Sequence, residues 1–285
     1  MNKIKVFILT VIIFISSGCA TKKPITYNSN NSKALNIVTA AGMNYGLKDV
    51  TVATDTVTDI RDSKTFGAAY GLASYYSPSP GLSSSGSAGL AVLSWALLPK
   101  TPAARNSIIA WMPESIGGIS KNEAFDKMAD LIIEATEKAA KELEYKTSVY
   151  IPKDGTDKRG LVINLVNPDN KKCAVTPPDT KSFCNVVYKV RHPHKIDNTP
   201  HYIGNGATWF FDPMESKYTA PIFADKYGFQ FNQLDMMIAV SRHLPDWTYI
   251  YLAPNEVNIT EKEKLKMPLI LNKGQVHLFI KADDS

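Results

Sequence analysis

The sequence offers little with which to carry out chemistry. It has no HExxH pair, no Gly-x-x-x-x-Gly-Lys loop and no Gly-x-Gly-x-x-Gly fingerprint, which removes the common signatures of zinc hydrolases, nucleotide phosphate binding and dinucleotide binding. The serine-rich run Ser83-Ser84-Ser85-Gly86-Ser87 lacks the Gly-x-Ser-x-Gly elbow and its strand-turn-helix setting. Charge of one sign is also scarce: 32 basic against 27 acidic residues leave a surplus of +5, too weak to imply a nucleic-acid partner. Three cysteines in 285 residues are few and odd in number, and no Cys-x-x-Cys spacing joins them. There is no internal repeat. An apolar run long enough to span a bilayer is missing too, since the uninterrupted stretch Val6 to Ile15 has only about ten residues.

What is present is concentrated at the N-terminus. Lys3 and Lys5 precede that short apolar run, the order of a secretory signal, and the run ends in Ser16-Ser17-Gly18-Cys19. Small residues before a cysteine suit the extended backbone that a signal peptidase binds. The segment resembles the lipobox of bacterial lipoproteins, usually Leu, then Ala or Ser, then Gly or Ala, then Cys. Ser16 stands where that family prefers a branched aliphatic residue, and Ile15 is displaced by one. The resemblance implies cleavage after residue 18 and a Cys19 carrying a thioether-linked diacylglycerol and an amide-linked acyl chain. One chain anchors only marginally at about 0.8 kcal/mol per buried methylene, and three together hold effectively permanently. Ala20, rather than the Asp that retains enterobacterial lipoproteins at the inner membrane, points to the outer membrane. Loss of Lys3 and Lys5 with the signal leaves 30 basic against 27 acidic residues.

With Cys19 acylated, Cys173 and Cys184 remain in an oxidising compartment. They flank a loop containing Pro177-Pro178, and a bridge there would contribute about 3 kcal/mol by the chain-entropy argument. Two free or metal-binding thiols are the alternative. Residues 19–33, rich in Lys, Pro, Thr, Asn and Ser, read as a lipidated cysteine and flexible tether, and residues 34–285 as a single domain.

Within that domain Lys48 to Val57 reads as a strand, followed by a charged turn Asp59-Ile60-Arg61-Asp62, and Asn106 to Met112 as a second strand ended by Pro113. A helix is expected from Lys121 to about Glu144, with Ser120 and Glu123 as a capping box and Phe125, Met128, Ile132, Ala135, Ala139 and Leu143 at helical spacing. Strands follow at Lys146 to Ile151, Leu161 to Val166, Cys184 to Arg191 and Ala207 to Phe211, the last closed by an Asp212-Pro213 turn. A second helix spans Asn232 to Leu244 before Pro245, then come a strand from Trp247 to Leu252 and a hairpin around Asn272-Lys273-Gly274. Runs of strands with two principal helices, about 121–144 and 232–244, define an α+β domain with a mainly antiparallel sheet.

Residues 66–98 form an uncharged Gly-, Ala- and Ser-rich insertion. It reads as a loop or short hairpin on the domain. As paired strands it would cross a membrane only within a closed oligomeric barrel, with Tyr70, Tyr75, Tyr76 and Trp95 as interfacial aromatics. The segment loosely resembles the glycine-rich apolar stretch of plasmid surface-exclusion lipoproteins. Among chemistry-bearing residues, His192, His194 and His201 lie within a Pro-rich stretch and are metal-ligand candidates, set against a plain polar loop. Asp212 and Asp225 lie near the aromatic run Trp209-Phe210-Phe211, His243 suits the dipole at a helix end, and His277 reads as a surface residue.

No catalytic residue and no cofactor emerges. The leading expectation is a non-enzymatic outer-membrane lipoprotein that meets the membrane through its acyl chains and binds or scaffolds an envelope protein. An anchored hydrolase or metal or ligand binder, and a membrane-inserting oligomer, are the alternatives.

Overall fold

Residues 25–44, 46–62, 102–151, 158–166, 184–197, 199–219, 233–254, 256–257 and 265–283 are described by a computed structural model. The described chain opens with a helix, α1 (Lys33–Ala40), fixed by two acceptors. The Ser32 hydroxyl accepts from the Leu35 amide at 3.0 Å, and the Asp49 carboxylate accepts from the Ser32 amide at 2.6 Å. Ala34, Ile37 and Val38 are buried on one side.

The next stretch departs from expectation. Only Val50–Val52 forms a strand, β1, and Thr54–Asp62 is a helix, α2, where a longer strand and a turn were expected. The β-branched residues suggested a strand, but Val57 and Ile60 stand three apart and pack together against the core, a helical spacing that tertiary contact selected over propensity.

After a short 3₁₀ turn at Pro102–Ala104 come β2 (Ser107–Pro113), a single helical turn α3 (Glu114–Gly117) and the long helix α4 (Lys121–Glu142). Ser120 accepts from the Glu123 amide at 3.2 Å, while the Glu123 carboxylate reaches back to the Ile119 amide at 2.9 Å. At its other end the Tyr145 amide returns to Ala140 and the Glu144 amide to Lys141, a Schellman closure that places Glu144 at φ 63°. Then follow β3 (Lys146–Tyr150), β4 (Lys158–Val166), β5 (Asn185–Arg191), β6 (His194–Ile196), β7 (Thr208–Thr219), α5 (Gln233–His243), β8 (Thr248–Leu252), β9 (Leu269–Asn272), β10 (Gln275–Leu278) and β11 (Ile280–Ala282).

Nine of these strands form one antiparallel sheet in the order β10-β9-β8-β2-β7-β5-β4-β3, with β6 also on β7. The only parallel pairing among the described residues joins β1 to β11, with Val50 opposite Ile280. The chain is therefore an α+β fold, and its two principal helices, α4 and α5, lie where periodicity expects them. The β9–β10 hairpin turns on Lys273 and Gly274, both at positive φ, as a two-residue hairpin loop requires.

One sheet face receives α4 and α5. The Tyr188 hydroxyl on β5 meets the Thr136 hydroxyl of α4 at 3.0 Å, both buried. The other face receives the N-terminal elements. Tyr251 on β8 donates to the Ala103 carbonyl at 2.7 Å, and Tyr202 donates to the Asn36 carbonyl of α1 at 3.2 Å. Covered on both sides, β2, β8 and β9 are buried along almost their whole length.

Candidate functional site

The histidines lie where the sheet is interrupted. β5 and β6 are two parts of one line running along β7, since Tyr188 faces Ser216 and His194 faces Phe210 in a common register. Between them stand His192-Pro193, which that register sets across from Asp212 and Phe211, with Pro213 across from Arg191. Neither proline has an amide hydrogen to give, so the ladder stops there. On the opposite side of β7, Ile108 pairs with Met214 but Ala110 pairs with Phe211, so Asp212 and Pro213 together face the single residue Ile109. That is a β-bulge. It explains why β7 continues for 12 residues through a dipeptide that sequence alone reads as a turn.

The bulge re-aims the side chains around it. The His192 ring stacks on Phe125 of α4, with centroids 4.2 Å apart and planes at 23°, and its buried Nδ1 has no hydrogen-bond partner. His194 instead lies edge-on to Phe210 at 5.3 Å, with Nδ1 3.8 Å from the Asp212 carboxylate. The strand neighbour of Phe210 is Trp209, which donates from Nε1 to the Gly118 carbonyl at 2.9 Å beside α3. Alternation along β7 therefore puts Phe210 and His194 on the sheet face away from α4. His201, in a surface turn, faces Asn205 at 3.3 Å. The three imidazoles are thus not brought together. Among the described residues no group of three or more His, Cys, Asp or Glu is placed to hold a metal ion.

The close approach of Trp209 also explains a signal in the sequence that pattern reading passes over, the pair Gly117-Gly118. A Cβ at Gly117 would stand 2.6 Å from Trp209 Cδ1 and 2.8 Å from Met112 Sδ.

His243 does sit at the end of α5, where its Nε2 lies 2.7 Å from Glu142 of α4, and Arg242 reaches the same carboxylate at 2.7 Å. His277 differs from the surface residue expected. On β10 its Nε2 is buried without a partner, and burial, reinforced by the nearby Lys33 ammonium, pushes its pKa down to about 4. Cys184 is buried at the start of β5. Cys173, Asp225, Tyr70, Tyr75, Tyr76, Trp95 and Cys19 lie outside the described residues.

The most continuous feature of the face opposite α4 is a line of aromatic rings. His194 meets Phe210, Phe210 meets Trp111 at 5.1 Å, and Trp111 meets Tyr249 edge-on at 5.8 Å. Burial pushes the Tyr249 and Tyr202 hydroxyls each up to about 12. At Tyr202 the neighbouring Tyr249 and Tyr27 add to that rise, at Tyr249 the carboxylate of Asp246. Tyr202 and Tyr27 meet edge-on at 5.2 Å.

The line therefore ends on residues expected to belong to the tether. Residues 25–32 are tied to the domain through Tyr27 and through Asn28, whose amide donates to the Asn36 side chain at 2.9 Å and whose carbonyl accepts from it at 2.9 Å. Ile25 and Tyr27 remain 42% and 50% exposed. The available signal was their presence as the only large apolar side chains in residues 19–33.

Among the described residues no helix is long and apolar enough to cross a membrane. No protein-family model matches the chain, and neither does any curated protein or solved structure.

Proposed function

We propose that the protein is an outer-membrane lipoprotein, anchored through acyl chains on Cys19, whose α+β domain binds or scaffolds another component of the cell envelope without enzymatic chemistry. The observation that carries this reading is the N-terminal order Lys3, Lys5, a short apolar run and Ser16-Ser17-Gly18-Cys19-Ala20. A binding role has a natural contact point in the turn between α3 and α4. Ile119 is 86% exposed and Ile116 44%, beside the ion pair of Lys195 with Glu114 at 2.7 Å.

The anchor is tested by metabolic labelling with an alkyne-bearing fatty acid. The wild-type chain should take up label and fractionate with the outer membrane, and Cys19→Ala should do neither. The binding role is tested in intact cells with a photo-reactive amino acid at position 119. An adduct of defined mass with an envelope protein is expected; an acylated, correctly located chain that yields none at 119 or by general amine cross-linking would sink the scaffold reading.

A further inference from the structure

We propose that the surface around Ile25, Tyr27 and His201 is a lipid-contact face, on which the domain rests against the headgroups of the membrane that holds it. The inference depends on the acylated Cys19 proposed above. It follows from where the described fold begins. Tyr27 is packed on Tyr202 and Asn28 is hydrogen-bonded to α1, so the domain is already formed within a few residues of the anchor. Residues 20–24 alone separate Cys19 from Ile25, and a connection of that length reaches about 20 Å at most when fully extended.

A domain of this size is roughly 45 Å across. The link is shorter than the body it tethers, so the domain cannot turn freely, and the surface around its attachment point must stay nearest the bilayer. The side chains there suit that position. Ile25 and Tyr27 are two of the large apolar residues left exposed among the described residues, and tyrosine favours the headgroup level, where its ring is shielded and its hydroxyl stays wet. The exposed His201 borders Tyr202 in the adjoining turn. The helical face carrying α4 would then point away from the membrane, leaving the exposed turn at Ile119 open to a partner.

The test uses the full acylated chain reconstituted in phosphatidylethanolamine and phosphatidylglycerol vesicles containing a headgroup-nitroxide lipid. Single reporters are attached at Ile25→Cys, His201→Cys and, on the outer surface of α4, Glu137→Cys. Mass spectrometry first establishes the acyl chains. Fluorescence at 25 and 201 should be quenched severalfold more than at 137, and Ile25→Glu in the His201→Cys background should reduce the quenching at 201. Equal quenching at all three positions of an acylated chain overturns the lipid-contact face and leaves the anchor standing. A chain with no acyl group overturns both.

Discussion

The two halves of the sheet present opposite solutions to the same problem. In the half built from β2, β8 and β9, layers on both faces bury nearly every residue. In the half built from β3, β4 and β5, only alternate residues are buried, as in Val186, Tyr188 and Val190 against Val187 and Lys189. β3 is the last strand on that side in the sheet order and is the most exposed of the three. More apolar surface is removed from water in the doubly covered half, which should therefore contribute the larger share of the stability.

The largest expected effect breaks this contrast directly. Trp111→Ala on β2 removes a fully buried ring in contact with Phe210 and Tyr249, and should cost about 4 kcal/mol in denaturant unfolding. Val187→Ala on β5, whose side chain is half-buried on the outer face, should cost less than about 1 kcal/mol. Equal losses would show that the two halves share their load.

The next effect lies at the edge of the covered half, and it is pH-dependent. Burial holds His277 neutral in the fold down to about pH 4, while the unfolded chain protonates it from the ordinary value of 6.5. Between these values the unfolded state binds the extra proton, so stability falls as the pH drops through this window. The loss amounts to about 3 kcal/mol across the full window. Unfolding measured at pH 7 and pH 4.5 should show most of it, and His277→Gln should flatten that part of the profile.

The smallest effect is a gain. Glu144 closes α4 with φ at 63°, a conformation that favours glycine, so Glu144→Gly should stabilise the chain by about 1 kcal/mol in thermal or denaturant unfolding.

The same contrast explains how much was legible in the sequence. α4 could be read from Ser120, Glu123 and its apolar spacing because its signals are local and agree with one another. The alternation of β5 and the apolar run of β2 were equally direct. Elements decided by distant partners were not. The Thr and Val residues of α2 favour strands in isolation and became helical on packing against the core. Asp212-Pro213 is a turn dipeptide unless strands on both sides hold it in a bulge. Of the candidate site, the sequence placed the histidines close together but could not reveal that the bulge turns His192 and His194 to opposite sheet faces. Nor could it show that Tyr202, about 175 residues away along the chain, would capture Tyr27. His277 looked like a surface residue because its neighbours alternate, and its burial next to Lys33 is a tertiary fact.

The pairing of β1 with β11 has a further consequence in time. The Val50 amide donates to the Phe279 carbonyl at 2.8 Å, and the Asp283 amide closes on Val52 at 2.8 Å. During synthesis, β1 emerges some 230 residues before the strand that completes it, and β2 likewise waits for β7 and β8. β1 therefore has no strand to pair with until the last one arrives. If the chain is exported through the signal proposed for residues 1–18, that order of synthesis would leave the pairing of β1 with β11 to be completed on the far side of the membrane.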